Sequence, residues 1–297
     1  MIFDTHANIL NHIAKKPKAN TVSTYHLPQA LEGHITGGIW TYAPSQKEDI
    51  EVEVSHILNE IHAVDEIHVV KSKDDWDSDD FNIVLGLQDI SFLKDKVTIH
   101  HAFELGFRHA AIALTENIFA TGGDSQETTG LTPVGRRLVH YMNSLGMVID
   151  VTGANKQTFH DVLHETELPV IVSSANCYEI MPSQYNLQDS QIKEIANTGG
   201  FIGITTRFNS VHSTKPSVET LVDHIDYLKS LVGCQHISLG FNFPMESTRT
   251  VVNECESPNQ AISVIDELYK RKYSTTDIEA IASNNAKRVI NQVLKAV

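Results

Sequence analysis

Residues 130–153, GLTPVGRRLVHYMNSLGMVIDVTG, constrain the fold more tightly than any other stretch of the chain. Thr132 places a side-chain oxygen just ahead of Pro133, and proline at the first helical position with such a residue before it starts a helix. Leu138, Val139, Met142 and Leu145 then recur at helical spacing, and Gly146 ends the helix. MVIDV follows as a continuous apolar run closed by Asp150, as expected of a parallel strand buried on both faces. A helix that feeds such a strand is one αβ step, and a chain made of such steps lays its helices over a parallel sheet.

The same alternation runs through the rest of the sequence without a linker. Strand signals fall at 1–6 (MIFDTH), 34–42 (HITGGIWTY), 82–87 (NIVLGL), 110–115 (AAIALT), 147–151, 169–174 (PVIVSS), 200–206 (GFIGITT) and 236–241 (HISLGF). Ile50, Val54, Ile57, Leu58, Ile61 and Val64 predict one long amphipathic helix over 46–70. Further helices are predicted over 217–232, over 257–272 behind Ser257-Pro258, and as one or two segments over 275–296. Eight buried strands separated by helices predict a (β/α)8 barrel, and 297 residues leave room for a barrel of about 250 residues plus extra C-terminal helices in a single domain, 1–297.

Composition excludes some partners. Lys and Arg total 23 against 37 Asp and Glu, and the resulting net charge of −14 repels a phosphate backbone, so nucleic acid is not expected. Three cysteines, Cys177, Cys234 and Cys255, form no CxxC pair and leave no complete disulfide set, which points to a reducing cytoplasm. MIFDTH is an apolar strand without the basic and long apolar regions of a secretion leader, and no apolar run reaches the ~20 residues of a membrane span.

The 130–153 block resembles the GLTPxGxxLVxxMNxLGMxxDxSH block of the membrane (renal) dipeptidases, peptidase family M19. The resemblance extends through DTHANIL, LGL, LTEN, YNLQDSQIKEIANTGGFIGI, LGFNF and the closing YSTTDIEAIASNNAKRVINQVL. It implies an α/β fold, a (β/α)8 TIM barrel of the metal-dependent hydrolase type, with chemistry at the C-terminal ends of the strands. It also implies a metallopeptidase with two zinc ions, held by a His-x-Asp pair after strand one, a bridging glutamate after strand three, and histidines after strands five and six. Pairing into homodimers is a further implication.

At those positions this chain reads differently. His6 is kept, but Asn8 stands for the aspartate, Gln88 for the bridging glutamate, Gly153 for the first later histidine and Ser174 for the second. Glu116 in LTEN replaces a histidine that stabilises the tetrahedral intermediate, Tyr185 an arginine that grips a carboxylate, and Asn242 the aspartate of the strand-eight motif. Asn8 and Gln88 do not ionise, Gly153 donates nothing and Ser174 offers a neutral oxygen, whereas a bridged zinc pair needs an anionic bridge. The expectation is therefore no metal and no cofactor, with only His6 matching a family ligand. Amides in place of facing carboxylates keep the shape and hydrogen-bond to one another.

The expected function is a dipeptidase-like pseudoenzyme that binds a small molecule, peptide or partner through a mouth lined by His6, Asn8, Gln88, Glu116, Gly153, Ser174, Tyr185 and Asn242. The alternative is an active hydrolase, with Glu116 and His6 as its acid–base candidates. Other candidates have simpler readings. His160 and His164 share a helix face that belongs on the outer wall. DDWDSDD (74–80) begins like a calcium loop, but Asp80 and Gly86 stand where that loop needs glycine and glutamate. Cys177 reads as a buried small hydrophobe.

Overall fold

The computed structural model describes residues 1–16, 20–44, 50–77, 79–93, 96–123, 125, 128–243 and 252–296. Its strands are β1 (Ile2–Ala7), β2 (Ile35–Tyr42), β3 (Ile67–Val69), β4 (Phe81–Leu87), β5 (Phe107–Ala111), β6 (Val148–Asp150), β7 (Ile202–Ile204) and β8 (Ile237–Leu239). The helices are α1 (Ile9–Lys15), α2 (Leu27–Glu32), α3 (Ile50–His62), α4 (Lys96–Glu104), α5 (Pro133–Leu145), α6 (Lys156–Glu165), α7 (Asp189–Asn197), α8 (Phe208–Val211), α9 (Val218–Val232), α10 (Ile262–Lys270), α11 (Thr275–Glu279) and α12 (Asn285–Val293).

The strands run parallel in the order β6-β5-β4-β2-β1-β8-β7. Ile171 and Val172 bridge the two ends of that path, Ile171 to Asp150 and Val172 to Ile202, so the ring closes as the barrel that the sequence predicts. Closure removes the open sheet edges that a parallel sheet otherwise exposes.

The α5–β6 step forms as its residues dictate. Thr132 accepts a hydrogen bond from the backbone N–H of Gly135 at 3.1 Å, Pro133 opens the helix, and Gly146 closes it in the left-handed conformation at φ +77°. Leu138, Val139 and Met142 are buried beneath the helix.

Three expectations needed correction, and the first is the strand predicted over 169–174, which is reduced to single bridges at Ile171 and Val172. The helix predicted over 46–70 is described only as Ile50–His62, residues 45–49 lying outside the described set, and Ile67–Val69 is a strand. β3 pairs with Phe81–Ile83 while β5 pairs with Leu85–Leu87, so β3 satisfies the β4 backbone where β5 has not yet begun. The strand predicted over 110–115 starts earlier, at Phe107, because Arg108 and His109 are buried polar residues whose partners lie elsewhere. Arg108 donates to the carbonyls of Lys71 and Phe103, at 2.6 and 2.7 Å.

The barrel has two unlike ends. Near the strand N-termini, Phe3, Ile39, Val84, Val148, Ile171 and Phe201 meet Ala286, Val289, Ile290 and Val293 of α12, forming an apolar floor. The larger core lies between the barrel wall and the surrounding helices. At the strand C-termini the interior turns polar, and that end carries the candidate site.

Candidate functional site

Asp150 at the end of β6 is the hub of the polar end. It is fully buried, yet its carboxylate collects donors from several elements: Thr152 N–H and Oγ1 reach Oδ1 at 2.8 and 2.6 Å, and Ser173 N–H reaches it at 3.2 Å. Ser173 Oγ donates to Oδ2, and His109 Nε2 lies 3.0 Å from the same oxygen. Burial alone raises the proton affinity of this carboxyl, but the bonds from His109, Ser173 and Thr152 outweigh it and hold the pKa down at about 2. Gly86 gives His109 its room, since a Cβ there would stand 2.5 Å from Nδ1.

His6 hangs from this hub. Its Nδ1 is 2.8 Å from Ser173 Oγ, whose own proton goes to Asp150. Nδ1 therefore carries the proton and donates, which leaves Nε2 bare. Burial lowers the His6 pKa to about 4; the field of Asp150 opposes that shift, and those of His109 and Arg207 add to it. Nε2 is buried and has no hydrogen-bond partner among the described residues, and the same holds for Ser174 Oγ.

Three of the remaining predicted positions are bonded amides. Asn8 Nδ2 donates to Asn242 Oδ1 at 2.5 Å, and Asn8 Oδ1 accepts from Thr41 Oγ1 at 3.3 Å. Asn242 sits at φ +57° with its N–H on the His6 carbonyl, which aims its side chain back across β1. Gln88 Oε1 accepts from Asn11 Nδ2 at 3.0 Å. Gly153 has φ +75°, and a Cβ there would come within 2.6 Å of Leu114 Cδ1, so a histidine at this position is opposed by both backbone and space.

Glu116 stands apart. It is exposed in the β5–α5 loop, and the partner found for His6 is Ser173, not Glu116. Part of that loop folds toward the rim, where Gly122 bridges Ala154, while Asp124 and Glu127 lie outside the described residues. Tyr185 is partly exposed, and the Arg207 guanidinium carbon sits 3.8 Å from the centre of its ring.

Asp150, Thr152, Ser173, His109 and Arg207 were not singled out from sequence. In the sequence Asp150 stands out only as the end of a strand, and Ser173 only as part of one. A polar residue within or at the end of an otherwise apolar barrel strand was the available signal. The simpler readings of the other candidates agree with the geometry: His160 pairs with Glu194 of α7 at 2.7 Å. Cys177 is buried, its thiol pKa is pushed up by burial, and its N–H bonds His224 Nδ1 at 3.1 Å. In the acidic stretch, Asp77 Oδ1 accepts from the Asp79 N–H, which closes a turn, and Ser78 lies outside the described residues.

The five ligand positions do not fit a bridged zinc pair. His6 Nε2 is the single nitrogen donor among them, the bridge position is an amide already bonded to Asn11, and Asp150 is enclosed by its own donors. Among the described residues no three His, Cys, Asp or Glu side chains come together to hold an ion. No helix among them is long and apolar enough to cross a membrane.

The profile of "Membrane dipeptidase (Peptidase family M19)" matches residues 1–296. An uncharacterized dipeptidase of Schizosaccharomyces pombe is 25% identical over 305 residues, covering 90% of this chain and 74% of its own. Two further fungal dipeptidases align over about half of their own length. The crystal structure of dipeptidase AC, a metallopeptidase, superposes with a TM-score of 0.89 at 20% identity, covering 99% of both chains. A Rhodobacter sphaeroides metallopeptidase, solved with a phosphinate mimic of L-Ala-D-Ala, superposes with a TM-score of 0.86 at 18% identity over 98% of this chain and 99% of its own. These findings overturn the expectation that no cofactor belongs to this chain, because its family and its structural neighbours are metallopeptidases. What the residues exclude is narrower, namely the five-ligand binuclear arrangement. With its barrel, its whole-length profile match and its site at the strand C-termini, the chain belongs to the membrane dipeptidase family.

Proposed function

We propose that this dipeptidase-family chain has lost the family's dipeptide hydrolysis and uses the barrel mouth to bind a small molecule or peptide. The observation that carries the reading is the bonding state of the replaced positions. Asn8 is tied to Asn242, and Gln88 to Asn11, each as a satisfied amide pair, while Gly153 adopts a backbone conformation that disfavours the histidine of its relatives. Random loss of ligands would leave buried groups without partners, which costs about 1–3 kcal/mol each. Here the amides support one another, and the groups left over, His6 Nε2 and Ser174 Oγ, are those a ligand could satisfy.

The test is a thermal-shift screen of dipeptides, amino acids and small carboxylates, with each hit followed by chromatography. The expected result is at least one compound that raises Tm by several degrees and is recovered unchanged. Steady conversion of the hit into products would contradict the proposal.

A further inference from the structure

We propose that a second cleft, on the outer side of the barrel wall, receives a small apolar amine whose nitrogen bonds the Asp4 carboxyl. The cleft is separate from the mouth and does not depend on the function proposed there.

The cleft lies between β1, β2 and β4 and the chain around α2, and it holds about 600 Å³ of space free of atoms, its open side included. Trp40, Phe81 and Phe243 line it together with Ala30 and Ile35. All five belong to the core between wall and helices, which sets the cleft apart from the barrel interior. The Trp40 and Phe81 rings are 5.9 Å apart, centre to centre. Tyr25, which also lines the cleft, is exposed at the surface.

Asp4 is the one acid in this lining, and it is 4% exposed. Its Oδ1 accepts from the N–H groups of His6 and Phe241, each at 3.0 Å, and Oδ2 takes no hydrogen bond among the described residues. No Lys or Arg is among the described residues of the lining, and His26 is neutral there, its pKa pushed down to about 3 by burial and by His12. A buried carboxyl oxygen without a donor costs free energy, and a buried carboxylate without a counter-charge costs more. An amine supplies both the N–H for Oδ2 and the positive charge. The same ion pair forms whether the ligand brings its proton on nitrogen or takes it from the carboxyl. The faces of Trp40, Phe81 and Phe243 suit an apolar body and attract the cation it carries. An anion, by contrast, would meet the Asp4 carboxyl with no cation in the lining to offset it.

Benzylamine, benzyl alcohol and benzoate, alike in shape, are titrated by NMR into the full chain and into the Asp4→Asn and Ala30→Leu variants. Asp4→Asn keeps an oxygen for the N–H groups of His6 and Phe241, and Ala30→Leu fills the cleft without altering the carboxyl. The expected result is that the amine binds at least about tenfold more tightly than the alcohol and that benzoate does not bind. Asp4→Asn abolishes the preference for the amine, and Ala30→Leu weakens amine and alcohol alike. Equal binding of amine and alcohol, a preference that survives Asp4→Asn, amine binding unchanged by Ala30→Leu, or no binding by either overturns the assignment. Ala30→Leu decides the matter even where Asp4→Asn does not fold.

Discussion

The two ends of this barrel are built from the same strands and held together by different physics. The floor joins residues from successive strands to α12 through apolar contact, which is non-directional and sensitive chiefly to volume. At the mouth, by contrast, Asp150 organises Thr152, Ser173, His109 and, through Ser173, His6 by hydrogen bonds of fixed direction. The difference teaches that the scaffold can be kept by the floor while the mouth changes its chemistry, as the bonded amides of Asn8, Asn242 and Gln88 show. Family membership and altered ligand positions are then compatible within one chain.

The sharpest way to break this comparison is to remove the hub. Asp150→Ala strands the donors of Ser173, Thr152 and His109 in a buried site, and a loss of about 5 kcal/mol is expected by denaturant unfolding. A loss below about 1 kcal/mol would show that the network is not integral to the fold. At the floor, Phe201→Ala is expected to cost about 4 kcal/mol by the same method, because Phe201 is fully buried in the apolar cluster that includes α12.

A pH series separates two buried groups of the first strand. His6 titrates at about 4 in the folded chain against 6.5 for the free side chain, so the unfolded state takes up its proton first. Its contribution is fully present above pH 6.5 and is lost as pH falls from 6.5 through 4, about 3 kcal/mol in all. Asp4, raised by burial from 3.8 to about 7, has the opposite sign, its contribution being present below 3.8 and lost as pH rises through 7. Their slopes cancel between pH 4 and 6.5 in the chelator-treated chain. His6→Gln should therefore leave stability falling with pH over that window and Asp4→Asn should leave it rising; identical profiles for the two variants would refute the assignment.

Smaller effects probe the replaced ligand positions. Gly153→His, the family's residue, is expected to destabilise by about 2 kcal/mol through the positive φ and the encounter with Leu114. Asn8→Asp turns a donor toward Asn242 into a carboxylate facing a carbonyl and should cost about 1 kcal/mol, measured by thermal denaturation. A stabilising Gly153→His would mean that the rim relaxes to accept the ligand residue.

Sequence revealed what depends on local pattern. The α5–β6 step was legible because its cap, apolar stripe and terminating glycine all act within a few residues. β3 was not, since Ile67–Val69 continues a helical pattern and its reason for extending is the unfilled edge of β4. The start of β5 was hidden by Arg108 and His109, polar residues made comfortable by partners up to 41 positions away. At the mouth the identities of the replacements could be read, because each stands in a recognisable motif. The way they are satisfied could not, since Asn8 meets Asn242, and His6 meets Ser173, only once the ring has closed. Arg207 was missed for the same reason, since only the folded chain brings its guanidinium over the Tyr185 ring.

The most direct test of the account is the turnover of L-Ala-D-Ala by the wild-type chain supplied with excess zinc, followed by release of free alanine. The mouth described here predicts no hydrolysis above the buffer control, because the replaced positions do not provide the bridged pair of ions. Sustained release of alanine, abolished by a chelator and restored by zinc, would contradict it and return the chain to the hydrolases of its family.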